Sequence, residues 1–163
     1  MIKEWFPDAK KVGILYASSE KNSKYQADVV SAELKKLGLE YEIFTCADTN
    51  EIAAVTKTAC DASDVIYIPT DNTLASAAAT VNSIAEPAKV PIIAGEESIC
   101  KGCGIATLSI SYYDIGYQAG EMAYEILVNG TDPSTMDIQF VPEEKLAKKY
   151  SAERCKTFGL TIP

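Results

Sequence analysis

Short runs rich in valine and isoleucine alternate with helical patterns along the sequence, and this alternation restricts the fold more than any other feature. The runs start about 25 residues apart over most of the chain, and they have the length and composition of strands buried on both faces. Because right-handed crossovers join such strands, the pattern predicts an α/β fold, a doubly wound open parallel sheet in the flavodoxin-like order 2-1-3-4-5. The predicted strands cover residues 11–16, 39–44, 65–69, 90–94 and 104–109.

The segments between these strands have the apolar spacing and the end signals of helices. We expect four helices, over residues 22–37, from 49 to 58 or 62, 72–85 and 113–128, with a helical turn at 96–101. Gly38 and Gly130 follow the first and last of these helices, where glycine commonly ends a helix. Beyond Gly130 the pattern weakens, and we expect an irregular strand within residues 140–150 and a short final helix after Ser151.

The composition excludes several classes of function. The 163 residues are 47% hydrophobic, which predicts one domain with a sizeable core. The net charge of −8 disfavours nucleic acid and anionic membrane surfaces as partners, so we predict no nucleic-acid partner. The chain has no histidine, which excludes Ser-His-Asp and Cys-His catalysis and His-ligated zinc.

The five cysteines do not form a recognisable disulfide framework, because their number is odd and their positions are scattered. Cys100 and Cys103 have C-x-x-C spacing, but a structural zinc site needs four ligands and no second pair is present. We therefore predict no metal. A local disulfide and two free thiols both remain open for this pair.

Acidic residues are concentrated where the predicted strands end, which is where open α/β sheets bind ligands. These segments contain five carboxylates, Glu20, Asp71, Glu96, Glu97 and Asp114, and Lys21 is the one basic residue among them. Predicted helix N-termini at Asn22, Asn72 and Tyr113 also favour a ligand carboxylate. Together these features indicate a zwitterion such as an amino acid. The alternative is that the Ser, Asp and Asn residues are ordinary N-caps.

Enzymatic interpretations find little support in the sequence. Asp71 follows the third strand, as the phosphoacceptor of a receiver domain does, but the acidic pair such a domain needs after its first strand is replaced by Tyr16-Ala17-Ser18. Neither a G-x-G-x-x-G motif nor a P-loop follows that strand, and the chain has no G-x-S-x-G elbow. We predict that the chain is not an enzyme and needs no cofactor.

Three motifs carry a family resemblance: Pro69-Thr70-Asp71-Asn72, Tyr112-Tyr113-Asp114-Ile115-Gly116 and the final Gly159-Leu160-Thr161-Ile162-Pro163. With their spacing, the sequence resembles the tryptophan/tyrosine-type substrate-binding proteins of ABC transporters, which have the type I periplasmic binding fold. Members have two lobes and about twice this length. The resemblance implies that residues 1–163 are one α/β lobe, with residues 113–130 as a crossover helix that packs on a missing first lobe and residues 131–163 as a C-terminal tail.

The resemblance also implies a function, which is to bind a small solute such as an amino acid between two lobes for an ABC importer. The implied partners are that ligand, the membrane permease and the first lobe. The implied location is the extracellular face of the membrane, lipid-anchored, or the periplasm, with the targeting signal outside this sequence. The residues implied to bind the ligand are Asn22, Ser23, Thr70, Asp71, Asn72, Glu96 and Tyr112.

The effector-sensing domain of a transcription regulator shares this fold and is an alternative function, and a stand-alone flavodoxin-like enzyme is a more distant one.

Without a first lobe, the helix at residues 113–130 exposes an apolar face, since its sequence includes Ile115, Met122 and Ile126. We expect this helix to fold back onto the domain or to form a domain-swapped homodimer.

Overall fold

The computed structural model describes the backbone of residues 1–163 and every side chain except that of Glu143. The described strands form one sheet in the order β2-β1-β3-β4-β5-β6. Neighbouring strands from β2 to β5 pair in parallel. The strands are β1 (Lys11–Ala17), β2 (Glu40–Cys46), β3 (Val65–Ile68), β4 (Ile92–Ala94), β5 (Ala106–Ser109) and β6 (Ala147–Tyr150).

Helices connect most of these strands. They are α1 (Ile2–Trp5), α2 (Lys21–Lys36), α3 (Ile52–Ala62), α4 (Asn72–Ser76), α5 (Ala78–Ala85), α6 (Glu97–Gly102), α7 (Tyr112–Leu127) and α8 (Ala152–Phe158). The α/β class and the strand order 2-1-3-4-5 are confirmed, and β6 extends the sheet beyond β5.

The chain divides into two compact units. The first comprises Met1–Leu108 and Lys149–Pro163, and the second comprises Ser109–Lys148. The first unit contains β1 to β4, most of β5 and all helices except α7. The second contains α7 and the 3-10 turns Pro133–Thr135 and Glu143–Lys145. The assignment of residues 1–163 to one lobe with a crossover helix and a tail stays a prediction.

The core of the first unit lies on both faces of the sheet. Neighbouring residues of β1 point to opposite faces, and both Ile14 and Leu15 are fully buried. Leu15 and Ile66 belong to the apolar cluster on one face, and Ile14 and Val65 belong to the cluster on the other. This two-sided burial explains why the strands read as continuous apolar runs in the sequence.

The predicted helix at residues 72–85 is two helices, because the chain breaks at Ala77, whose φ and ψ are −110° and 16°. The alanine-rich sequence favours an uninterrupted helix. Tertiary packing overrides this preference. Ala78 lies so close to Gly102 at the end of α6 that a Cβ added to Gly102 would stand 2.3 Å from the Ala78 Cβ.

Gly95, directly after β4, brings two loops at the carboxyl edge of the sheet into contact. Its N–H donates to the Ile68 carbonyl at 2.7 Å. A Cβ on Gly95 would lie 2.8 Å from the Pro69 carbonyl carbon and from the Thr70 backbone nitrogen. Both are backbone atoms of the β3–α4 loop, so a side chain here would push that loop away from its position.

We therefore expect Gly95→Ala to lower the free energy of unfolding by about 1–3 kcal/mol, the usual cost of overpacking. Urea unfolding followed by circular dichroism measures the change. Ser19→Ala is the matched control, since Ser19 is exposed in a neighbouring loop at the same edge. Equal stability of Gly95→Ala and the native chain would contradict the prediction.

Candidate functional site

The loops that follow β1, β3 and β4 lie side by side at the carboxyl edge of the sheet, because these three strands are neighbours in the order β1-β3-β4. This edge is where open α/β sheets bind their ligands. Six of the seven predicted site residues lie in these loops or in the first turns of the helices that follow them. They are Asn22, Ser23, Thr70, Asp71, Asn72 and Glu96.

Asp71 joins the β1 and β3 loops from inside the protein. Its side chain is 1% exposed. One carboxylate oxygen accepts from the Leu74 N–H at 2.8 Å and so caps α4. The other accepts from the Ala17 N–H at the end of β1, also at 2.8 Å. Both oxygens are thus bonded to backbone donors. Asp71 therefore fixes the positions of the two loops from the interior of the protein.

Glu20 makes a second link between the same loops. One of its oxygens accepts from the Thr73 N–H at 2.9 Å and from the Thr73 hydroxyl at 3.1 Å. The other accepts from the Asn72 side-chain amide at 3.2 Å. Burial alone would raise the pKa of Glu20, but the hydrogen bonds from Thr73, Asn22 and Asn72 lower it below the usual range. The link is therefore intact above the ordinary glutamate pKa and is lost as the pH falls through the lowered value.

The Thr70 backbone anchors the first turn of α2. Its carbonyl accepts from the Asn22 side-chain amide at 2.8 Å and from the Ser23 hydroxyl at 3.1 Å. Its N–H donates to the side-chain carbonyl of Gln26, one turn further along α2, at 3.0 Å. Thr70, Asn22 and Ser23 thus lie together, with Ser23 fully buried and Asn22 exposed at the surface, and their role in ligand binding stays a prediction.

Glu96 is the N-cap of α6 and is 7% exposed. Its carboxylate accepts from the N–H groups of Ser98 and Ile99, and from the Ser98 hydroxyl. Like Asp71, it is a buried acidic cap. It stands one residue after Gly95, so its loop is the one that touches the β3–α4 loop.

Four of the five carboxylates of the acidic rim inferred from the sequence, those of Glu20, Asp71, Glu96 and Glu97, are therefore engaged in bonds within the protein. Glu97 pairs with Lys101 at 2.8 Å and with Lys149. The bonds from these two lysines hold the pKa of Glu97 at about 2. Carboxylates satisfy backbone N–H groups at helix starts. The rim is thus less suited to a ligand ammonium than the residue types alone indicated.

The helices after β1 and β2, which are α2 and α3, have no side-chain cap, unlike those after β3, β4 and β5. Asp71, Glu96 and Ser111 cap α4, α6 and α7 with side-chain oxygens. The N-cap of α2, Glu20, makes no such bond. The first N–H groups of a 16-residue helix are thus left without a side-chain acceptor, next to the exposed Ser18 and Ser19. A ligand carboxylate matches this position chemically.

Sequence reasoning missed Gln26 and Thr73, which hold the backbone of Thr70 and the carboxylate of Glu20. The signal for Gln26 was weak, because a half-buried polar residue one turn into a helix resembles any solvated position. Tyr112 lies in the second unit as the first residue of α7 and is 61% exposed. Its role in a ligand site stays a prediction.

The cysteines have no part in this site. All five are free thiols and all are buried. Of the two alternatives for the C-x-x-C pair, the structure has free thiols. Burial raises the pKa of Cys100 to about 11 and that of Cys103 to about 12, so both are protonated and unreactive at neutral pH.

Among the described side chains, no group of three or more Cys, Asp or Glu residues is arranged to hold a metal ion. No helix in the described part of the chain is both long and apolar enough to cross a membrane.

Residues 1–154 match the family of ABC transporter substrate binding proteins. The chain is 36% identical over 127 residues to the tyrosine-binding protein of Clostridioides difficile strain R20291, which covers 78% of this chain and 37% of that protein.

Two solved structures are similar along nearly the whole chain. One is an ABC domain from Streptococcus pneumonia in complex with L-Trp, 33% identical with a TM-score of 0.89. The other is a ligand-free, open substrate binding protein with adhesive properties from Clostridium difficile, 32% identical with a TM-score of 0.78. Each match covers 99% of this chain and 54% of the other, so the chain spans about half the length of these relatives.

The polar loops lie at the edge where proteins with open α/β sheets bind small molecules, and the matched family is a ligand-binding class of protein. The chain belongs to the ABC transporter substrate binding protein family. The sequence resemblance is thereby confirmed. Members of a substrate-binding family bind and do not catalyse, which confirms that the chain is not an enzyme.

Proposed function

We propose that this chain is one of two lobes that close around an amino acid, of the aromatic type, for import by an ABC transporter. Its family, a tyrosine-binding relative and a neighbour in complex with L-Trp support this proposal. The length supports a partner lobe, since the solved relatives are nearly twice as long as this chain. Such lobes close by hinge motion around the ligand.

We propose that the first turn of α2 holds the ligand. The α-carboxylate accepts from the N–H groups at the start of α2, which have no side-chain cap. The exposed amides of Asn22 and Asn72 flank this position. Ser23, Thr70, Asp71 and Glu96 fix the loop geometry.

An NMR titration of the full chain tests this proposal. We expect L-Trp and L-Tyr to shift backbone amide signals at residues 18–23 and 70–73, at millimolar concentrations because only one lobe contributes contacts. Tryptamine lacks the carboxylate, so it should shift the α2 signals much less than L-Trp. Shifts confined to other regions, or none with any amino acid, would contradict the proposal.

Side-chain replacement at the same site gives a second measurement. We expect the double variant Asn22→Ala, Asn72→Ala to weaken L-Trp binding by about 10-fold, the effect of losing roughly 1.4 kcal/mol of polar contacts. Asn129→Ala is the matched control, because Asn129 is exposed in the second unit and its side-chain amide donates to Glu125 at 2.8 Å. Unchanged affinity of the double variant would remove these amides from the site.

A membrane permease is the proposed partner, and the proposed location is extracellular or periplasmic, where a lipid anchor would hold the protein to the membrane. The family assignment does not favour the alternative of a transcription regulator.

A further inference from the structure

Glu20, between β1 and α2, is a half-buried carboxylate that holds side chains of the candidate site without being free itself. One of its oxygens accepts from the backbone and the hydroxyl of Thr73, and the other accepts from the side-chain nitrogen of Asn72 at 3.2 Å. Both oxygens are thus engaged within the first unit. Any influence of Glu20 on a ligand therefore passes through the residues that it holds.

The side-chain amides of Asn22 and Asn72 are both oriented by acceptors within the protein. An ionised carboxylate and a backbone carbonyl oxygen can only accept hydrogen bonds, so an amide must turn its nitrogen toward them. The Asn72 nitrogen faces Glu20, and the Asn22 nitrogen donates to the Thr70 carbonyl at 2.8 Å. Asn22 also bonds to the Glu20 carboxylate and so helps to lower the pKa of that group.

The carbonyl oxygens of these two amides are left for a ligand. Asn22 and Asn72 are exposed, and among the described residues no group donates to the Oδ1 atom of either. An amide oxygen has two lone pairs, and an ammonium group has three N–H donors and no acceptor. The site thus has uncharged acceptors next to the uncapped N–H groups of α2, which matches the two charged ends of a zwitterion.

The other carboxylates of the loops after β3 and β4 are less suited to an ammonium group. Asp71 and Glu96 are 1% and 7% exposed, and both accept from backbone N–H groups. The charge of Glu20 favours a cation at the amide oxygens, because charges interact over several ångströms without contact. The two amide oxygens are therefore the acceptors at this edge that a ligand can reach.

We propose that Glu20 is a positioning residue, which turns the carbonyl oxygens of Asn22 and Asn72 toward the ligand and so selects for an ammonium group. The inference rests on the proposed function, since it concerns the same ligand position. It adds which end of each amide meets the ligand. It also adds a selectivity, since an indole acid that lacks the ammonium group binds less well than L-Trp.

A measurement without ligand tests the orientation of the amides. Glu20→Gln keeps the shape of the side chain but presents an N–H donor in place of one acceptor oxygen. We expect this variant to move the side-chain amide signals of Asn22 and Asn72 in the NMR spectrum of the labelled chain. Glu51→Gln is the matched control, because Glu51 is exposed and its carboxylate accepts from the Ala47 N–H at 2.7 Å. Unmoved amide signals in Glu20→Gln would overturn the proposal.

A comparison of two ligands tests the selectivity. Indole-3-propionate keeps the carboxylate of L-Trp and lacks its ammonium group. We expect the native chain and Glu51→Gln to bind L-Trp at least about 10-fold more tightly than indole-3-propionate, as for the loss of hydrogen bonds from a charged donor. In Glu20→Gln this ratio should fall to about 3-fold or less. A variant that only loosened the loops would weaken both ligands alike and keep the ratio, which would overturn the proposal.

The outcomes separate this inference from the proposed function. If neither ligand shifts the signals of residues 18–23 and 70–73 in the native chain, the proposed function fails and the inference fails with it. If both ligands bind there with equal affinity, the ligand position stands and only the selection for an ammonium group is overturned. This comparison uses the native chain, so it decides the question without any variant.

Discussion

Replacing Asp71 with alanine is expected to lower the free energy of unfolding by about 2–4 kcal/mol. The variant removes the cap of α4, which alone costs about 1 kcal/mol. It also leaves the N–H groups of Ala17 and Leu74 buried without an acceptor, since both residues are fully buried. Each unpaired buried donor costs about 1–3 kcal/mol, and the terms are not fully additive because the two loops relax together.

Urea unfolding of Asp71→Ala and Asp71→Asn separates these contributions. Asparagine keeps one acceptor oxygen but turns an N–H donor toward a backbone N–H, so we expect an intermediate loss. Asp61→Ala is the matched control, because Asp61 is 66% exposed and its ion pair with Lys57 contributes little. A change below about 0.5 kcal/mol in Asp71→Ala would show that the buried carboxylate is not a structural link.

The strands were predictable where burial on both faces leaves a continuous apolar signature. The bounds of β1 differ from the prediction by one residue at Ala17. The bounds of β4 are shorter than predicted, Ile92–Ala94, because residues 90–91 precede its paired segment and Pro91 lacks an N–H. The strand β6, Ala147–Tyr150, is short, lysine-rich and exposed, so it had only the irregular signature expected for residues 140–150.

Local patterns located the loops of the candidate site but not the bonds within them. Asp71 and Glu96 were recognisable as polar residues after strands. That Asp71 bonds to Ala17, 54 residues earlier in the chain, depends on the adjacency of β1 and β3 and cannot be read from spacing. The same applies to the bonds of Glu20 with Thr73. The chemistry inferred for the rim changed for this reason, since carboxylates that were counted as available to a ligand are occupied by the fold.

The distinction between capped and uncapped helices is what the structure adds to the ligand hypothesis. Acidic or hydroxyl caps close the starts of α4, α6 and α7 to an anion. The starts of α2 and α3 lack such a cap, and of these two helices α2 follows β1, the strand next to β3 in the sheet. We therefore expect the carboxylate of an amino acid, and not its ammonium group, to set how the ligand is oriented at this edge.

Replacing Arg154, the one arginine in the sequence, is the second change with a large expected effect. Its Nε donates to the Asn82 side-chain carbonyl at 2.9 Å. Its two terminal nitrogens donate to the carbonyls of Lys101 at 3.0 Å and Gly102 at 2.6 Å, with a longer bond to Cys100. The carbonyls of Lys101 and Gly102 lie at the end of α6, where helix carbonyls lack partners in the next turn, whereas that of Cys100 also accepts from the Gly104 N–H at 3.0 Å.

We expect Arg154→Ala to lower the free energy of unfolding by about 2–4 kcal/mol, since hydrogen bonds from a charged donor contribute about 1.5–3 kcal/mol and these share one side chain. Arg154→Lys should recover less than half, because a single ammonium cannot span Asn82 and successive carbonyls at once. Lys156→Ala, an exposed position on the same helix, is the control.

Hydrogen exchange distinguishes a local from a global effect of this change. Since Arg154 joins α8 to the end of α6, and Glu96 caps the start of α6, its loss should speed exchange in α6 and α8 more than in β1 and β3. Loss of the contact at the end of α6 would then make the Glu96 loop at its start more mobile. The loops after β1 and β3 would stay joined by Asp71, so only this part of the candidate site would be affected. Uniform acceleration across the first unit would contradict this local role and would indicate that Arg154 stabilises only the fold as a whole.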